Sequence, residues 1–413
     1  MPEGLPVLAG APATGEAGTR SDRVPLLGFV NDAETETALR EGLADALQAA
    51  PDIRRANVHK AIIALQHGAA GSTLVVDVAG EDQPLAALAD LAQVVEPNVT
   101  VLVVGDRQDV DFYRRVTRGL GVREYLFKPL TAEMVARHFG TALGGRTDAS
   151  TVLLGGRVLA VVGARAGVGA STIATNLAWY LSEQAKRHTV LVDADLKTGT
   201  AAMMLGVQPT SALHNAMEAP ERLDELYVER AIQTAGARLD VLASELPLDQ
   251  RMAYSAGAAM RLIDLLQRRY NFIIIDLPAV QRRITQEFHA SAHQNVMVLD
   301  PTLPALRDAL RLLSLPAAPR HIGRPLLVLN RAGTPGSLTA AQIEDALQIA
   351  PGVVIPELGR RLRESELSGK PAASVSGPLR DAVAEIARHS AGVRLVAPPN
   401  RFLPNRFLPR FSK

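Results

Sequence analysis

From about residue 24 the chain alternates two hydrophobic spacings. Short runs in which nearly every position is apolar and often β-branched, such as "STLVVDV", "NVTVLVVGD" and "REYLFKP", are separated by longer stretches such as "AETETALREGLADAL". In the longer stretches apolar residues recur every three or four positions, the period of a helix with one buried stripe. Runs that are apolar throughout belong to strands covered on both faces, which in alternation with helices means a parallel sheet. A second series follows, with strands expected at "RVLAVVGA", "HTVLVDAD", "RLDVLAS", "NFIIIDLP", "NVMVLD" and "RPLLVLNR". The pattern predicts an α/β protein of two domains, over 23–143 and 157–393. A Gly/Ser/Thr-mixed linker over 144–156 joins them, a flexible leader over 1–22 precedes them, and a tail over 394–413 follows. The second domain reads as a mainly parallel, doubly wound sheet whose chemistry lies at the carboxyl ends of its strands.

Composition narrows the class. At 413 residues the chain exceeds one compact core. Aromatic residues are only 4%, so aliphatic side chains must build the cores. A net charge of +1 gives no global attraction to nucleic acid or anionic lipid. There is no cysteine, which excludes disulfides and thiolate metal sites and fits a reducing compartment. Neither a secretory leader nor an apolar run of about 18 residues is present, so a cytoplasmic, non-spanning protein is expected.

The chemistry is concentrated at "GARAGVGAST", between an apolar run and a helical pattern. Gly167 and Gly169 free the backbone of Ala166–Gly169 to aim N–H groups at an anion from a helix N-terminus. Val168 lies between them, Ser171 stands where a hydroxyl normally meets Mg²⁺, and Thr172 follows in the first turn. The loop lysine is missing, because Ala170 occupies its place. Losing that charged hydrogen bond weakens binding by about one to two orders of magnitude. Phosphoryl transfer suffers more, since one well-placed cation can be worth about 10³–10⁵ in rate. Hydrolysis is therefore expected to be weak or absent unless Arg165 supplies the cation. A ligand-free strand-to-helix turn is the alternative reading of the loop alone. Asp193 and Asp195 in "VLVDAD" and Asp276 in "FIIIDLP", all at the same edge of the inferred sheet, favour a nucleotide site instead.

In this order, "GARAGVGAST", "VLVDADLKTGTAAMMLGV", "YNFIIIDLPAV", "VMVLDPTLPALRDALRLL" and "LLVLNRAG" resemble the ParA/MinD group of deviant Walker NTPases. More narrowly they resemble the TadZ/CpaE proteins of Flp (Tad) pilus assembly. The resemblance implies a P-loop NTPase domain binding ATP and Mg²⁺, a homodimer, and pilus or secretion components as partners. Residue by residue it implies Asp193 as the catalytic acid after the second strand and Asp276 as the Walker B acid, a metal ligand with Ser171. Asn330 becomes an adenine contact, against the plainer reading of a strand-end turn former. Arg165 stands at the signature-lysine position that reaches across an ATP-sandwiched dimer.

Residues 23–143 resemble a receiver domain, a flavodoxin-like three-layer fold. Asp77 ends "LVVDV" at the phosphoacceptor position, Asp32 ends "FVND", and Lys128 lies in "FKP". The acid pair is incomplete, with Asn31 before Asp32, and Gly105 replaces the sensing hydroxyl in "VVGD". A pseudo-receiver serving as a docking or dimerisation surface is the favoured reading; a phosphorylated Asp77 is the alternative.

The tail carries Arg401, Arg406, Arg410 and Lys413 among Phe402, Phe407 and Phe411, suited to an anionic surface or a partner. Pro404 and Pro409 break any useful helix there, and an unstructured duplication is the plainer reading. "RRLRES" over 360–365 and the Arg307/Arg311 pair read as solvated basic residues, so DNA is not expected as a partner. The sequence thus predicts a weakly or non-hydrolysing, nucleotide-stabilised dimeric assembly factor, cytoplasmic and possibly held at the inner membrane or cell pole through partners. An active ATPase cycling on a surface or DNA, and a phospho-controlled signalling protein, stay open as alternatives.

Overall fold

Near-continuous apolar runs become the inner strands of two sheets. The computed structural model describes residues 26–391 apart from 48, 68–70, 93, 97–98, 145–155, 251–252, 280–282, 316–319 and 321–323. The expected leader, the expected tail and most of the expected linker lie outside the described residues. Two compact units emerge, the first drawn from residues up to 87, 99–118 and 122–147, and the second from 88–98, 119–121 and 148 onward.

The first unit contains β1 (Leu26–Val30), β2 (Asp52–Arg55), β3 (Thr73–Asp77), β4 (Thr100–Gly105) and β5 (Glu124–Phe127), in the order β2-β1-β3-β4-β5. Every pairing is parallel. This is the flavodoxin-like strand order, whose switch point lies between β1 and β3 and places functional groups at their carboxyl ends. Helix Ala33–Gly42 starts there because the Asp32 side chain accepts the Thr35 N–H at 2.7 Å, a capping bond worth about 1 kcal/mol. Leu26, Val30, Leu39, Val75, Leu102, Val104 and Phe139 form part of the buried core.

The second unit contains β6 (Arg157–Gly163), β7 (Thr189–Asp193), β8 (Gln233–Gly236), β9 (Leu239–Leu242), β10 (Phe272–Leu277), β11 (Gln294–Leu299), β12 (Leu326–Ala332) and β13 (Val353–Pro356). Their order is β13-β12-β11-β6-β10-β7-β9-β8. Only the β8–β9 pair among the described residues is antiparallel. The chain fills one side of β6 with β10, β7, β9 and β8, and the other with β11, β12 and β13. That reversal beside β6 puts the switch point of the sheet at the carboxyl edge where the glycine loop emerges. All six residues of β10 are buried, as a strand covered on both faces requires. Helix Ala170–Trp179 is sunk in the same core, with Ile173 through Ala178 buried, so the loop before it is anchored at both ends.

Candidate functional site

The loop is built by its glycines. β6 ends at Gly163 and helix Ala170–Trp179 begins directly after Gly169. Gly167 and Gly169 have φ of +85° and +95°, left-handed values that a Cβ opposes. A Cβ at Gly169 would also fall 2.4 Å from the Asn330 amide nitrogen. Asn330, in β12, donates that amide to the Val168 carbonyl at 2.8 Å, while its own oxygen accepts the Arg331 N–H at 3.0 Å. Because the peptide is planar and trans, fixing the Val168 carbonyl on Asn330 turns the Gly169 N–H to the opposite side. The residue expected at the adenine is thus placed on the loop itself.

Ala166 and Gly167 are exposed and Val168 is buried beneath them. Arg165 is exposed, and no hydrogen bond or ion pair joins its guanidinium to a described residue. Ala170 brings only a methyl group to the first helical position. Ser171 and Thr172 follow, both partly exposed. The Thr172 carbonyl accepts from Asn176 Nδ2 at 2.7 Å, and Asn176 Oδ1 accepts the Ala373 N–H at 2.7 Å.

The carboxylates meet on neighbouring strands. Asp193 ends β7 and Asp276 lies in β10, and the two are in direct register. Both are buried, at 2% and 4% exposure. Asp193 accepts the N–H groups of Asp195 and Ala201, each at 3.1 Å. Asp195 instead organises the following turn, taking the Lys197 and Thr198 N–H groups at 3.2 and 3.0 Å. The Ser171 hydroxyl lies beside the Asp276 carboxylate and favours its charged form. Burial first, then repulsion from Asp193, pushes the Asp276 carboxyl well above the usual range. Burial likewise raises Asp193, against the two N–H groups it accepts.

Two buried acids side by side are costly unless a cation faces them. That requirement, with the Ser171 hydroxyl beside one of them, fits Mg²⁺ at Ser171 and Asp276. No group of three or more His, Cys, Asp or Glu suited to a metal exists among the described residues. A magnesium ion here must therefore draw its remaining oxygens from phosphate and water, as this ion commonly does.

A family model described as an AAA domain matches residues 156–315. The septum site-determining protein MinD of Synechocystis sp. is 30% identical over 178 residues, 42% of this chain and 64% of that protein. The chain thus spans less than two thirds of that relative's length. A solved ParA family ATPase from Chlorobium tepidum is 27% identical with a TM-score of 0.52, covering 57% of this chain and 98% of that one. The second unit has a ParA/MinD-like P-loop NTPase fold. A pilus assembly protein CpaE from Caulobacter crescentus is 32% identical over 28% of this chain and 96% of that one, with a TM-score of 0.27. Within the ParA/MinD-like unit, Arg307 pairs with Asp308 at 2.8 Å and Arg311 reaches the same acid at 4.0 Å, so part of their charge is already met. The side chains of Arg360, Arg361 and Arg363, and the tail arginines, lie outside the described residues. No described helix is long and apolar enough to cross a membrane.

The receiver-like unit gathers the three other singled-out residues. Asp77 is fully buried at the end of β3. Its Oδ2 accepts the Asn31 N–H at 3.0 Å and the Lys128 ammonium at 2.5 Å, and its Oδ1 accepts the Ala79 N–H at 2.9 Å. Lys128 also pairs with Asp32. Although burial alone raises Asp32, its bonds from Lys128 and Thr35 hold the carboxyl down at about 2. Burial opposes the Lys128 charge, and the two acids more than restore it, raising its pKa. Lys128→Ala is expected to cost about 3 kcal/mol by leaving a buried carboxylate without its cation. Hydrogen exchange at the β3 amides reads this directly; unchanged protection refutes the pairing's importance.

Sequence reasoning missed Tyr125. It is buried in β5, its hydroxyl donates to the Arg107 carbonyl at 2.8 Å and accepts the Arg107 N–H at 3.1 Å. A Cβ at Gly105 would lie 2.6 Å from that hydroxyl. The absent sensing hydroxyl and this inward tyrosine therefore explain one another. Asn176 was missed as well. Its only signal was a polar residue inside an otherwise apolar helical stretch.

Proposed function

We propose that this chain is an ATP-binding, weakly or non-hydrolysing localisation and assembly factor of the TadZ/CpaE kind, serving a Flp/Tad-type pilus or secretion machine. The observation that carries the reading is the Ser171–Asp276–Asp193 arrangement, kept intact beside a loop whose lysine position holds Ala170. Such a site retains what binding requires and lacks a cation that turnover requires. The order of motifs along the second unit supports the TadZ/CpaE assignment. The domains would be the receiver-like unit over 23–143 and the nucleotide unit over 157–393.

In this reading the backbone N–H groups of Ala166–Ala170 and Thr172 take the phosphates. Ser171 and Asp276 hold Mg²⁺, and Asp193 orients what lies beyond. Bound Mg²⁺ neutralises phosphate charge. Arg165, exposed and unpaired among the described residues, is free to reach a second copy. Any ligand bound only by the dimer favours it, by about 2.7 kcal/mol at one hundred times Kd. The dimer surface then recruits pilus or secretion components, with the protein cytoplasmic and peripheral to the inner membrane or pole through them. DNA is not a proposed partner.

Calorimetry of the full chain with ATP and Mg²⁺, paired with mass measurement in solution, tests this. Binding is expected with a shift from monomer to dimer. Because Asp193 and Asp276 have raised pKa values, they take up protons as pH falls, whereas the metal needs them deprotonated. Affinity for Mg²⁺-ATP is therefore expected to fall from pH 8 to pH 6. No heat at millimolar ATP, with self-association regardless of nucleotide, overturns the proposal.

A further inference from the structure

A receiver-type phosphorylation site needs a divalent cation held by oxygen donors. The residues at the carboxyl edge of β1, β3 and β5 do not fit one. Asn31 Nδ2 donates to the Ala79 carbonyl at 2.9 Å. A carbonyl oxygen can only accept, so the amide nitrogen must be the group that faces it. Lys128 bridges Asp32 and Asp77, and the remaining carboxylate contacts come from the backbone of Asn31, Ala79 and Thr35. A nitrogen of this chain therefore stands at each of the four carboxylate oxygens, and the Lys128 ammonium, which has no lone pair to offer a metal, already supplies the positive charge between them.

Charge points the same way. Two acids and one lysine sum to −1, where a third acid at residue 31 would make −2. The nearby Asp106 is engaged elsewhere, accepting the Gly80 N–H at 2.9 Å. We infer that Asn31 and Lys128 together replace the divalent metal of a receiver site, making Asp77 a structural carboxylate that clamps β1, β3 and β5 without metal or phosphoryl group. The receiver-like unit is then held in one state, and its surface is available to a partner continuously. Nothing in this inference depends on nucleotide binding by the other unit.

Mn²⁺, counted as the free ion by electron paramagnetic resonance, probes the site in the nucleotide-free full chain. Any affinity removed by Asp77→Asn belongs to this unit, which separates it from the Asp193/Asp276 pair. Wild type and Asp77→Asn are expected to bind Mn²⁺ equally. Asn31→Asp is expected to gain a site at least ten-fold tighter, lost again in Asn31→Asp/Asp77→Asn. Acetyl phosphate with Mg²⁺ is expected to leave wild-type Asp77 unmodified by peptide mass. Wild-type Mn²⁺ affinity that disappears in Asp77→Asn, or a phosphoryl group found on Asp77, overturns the inference without recourse to the Asn31 variant. A folded Asn31→Asp protein that gains no metal affinity overturns the role given to Asn31.

Discussion

Ala170→Lys is expected to raise ATP turnover from near background by about 10²–10³-fold, with a smaller gain in ATP affinity. The site otherwise holds what phosphoryl transfer uses: loop N–H groups, a hydroxyl beside Asp276, and a second acid, Asp193, in register with it. What it lacks at the helix start is positive charge, since Ala170 contributes a methyl group only. Charge developing on the transferred group is stabilised far more by a fixed cation than the ground state is, so the rate should respond more than the binding. Steady-state phosphate release on wild type, Ala170→Lys and Arg165→Ala decides the matter. Rapid wild-type turnover abolished by Arg165→Ala would mean that the exposed arginine already replaces the lysine, and would favour the cycling ATPase. An Ala170→Lys protein that binds ATP but turns over no faster would show that charge is not the missing element.

Gly169→Ala is expected to abolish nucleotide binding and to cost about 2–4 kcal/mol of stability. Two effects add at this position. The backbone φ of +95° is strained for any L side chain. The new Cβ also meets Asn330 Nδ2 at 2.4 Å, forcing off the side chain that holds the Val168 carbonyl. Gly167→Ala is the internal control, because φ there is +85° but nothing lies within 4 Å of an added Cβ. It should show the conformational cost alone, about 1–2 kcal/mol. Chemical denaturation followed through Trp179, which sits on the helix after the loop, reports both variants. Equal losses at the two positions would remove the steric part of the argument, and Gly169→Ala/Asn330→Ala should recover part of the difference if that part is real.

Central strands were legible, and among the edge strands β5, in "REYLFKP", was legible while β2, β8 and β13 were not. β6, β7, β10 and β11 are nearly all apolar because both faces are covered, and their boundaries follow from the runs. β2 is "DIRR", β8 is "QTAG" and β13 is "VVIP"; each has a single strand neighbour. β2 and β8 hold too little apolar surface to be told from loops, β13 is an apolar run of only four residues, and a charged edge such as β2 also discourages pairing with other chains. The glycines, the hydroxyl and the strand-end acids of the loop site were readable because their residue types are dictated by local backbone or by charge. Asn330 was readable as a position but not as a contact, since its hydrogen bond to Val168 spans 162 residues. The same holds for Tyr125, whose partner backbone at Arg107 lies in another loop.

The tyrosine under Gly105 also limits which residues this position can take. Placing a serine or threonine at 105 brings a Cβ to 2.6–3.1 Å from the hydroxyl and ring edge of Tyr125, a side chain that is already anchored. A side chain at 105 is therefore disfavoured on its own, and a smaller residue at 125 would still leave the Asn31 and Lys128 contacts around Asp77 in place. Packing at 105 and charge pairing at 77 thus hold this unit in the same state independently.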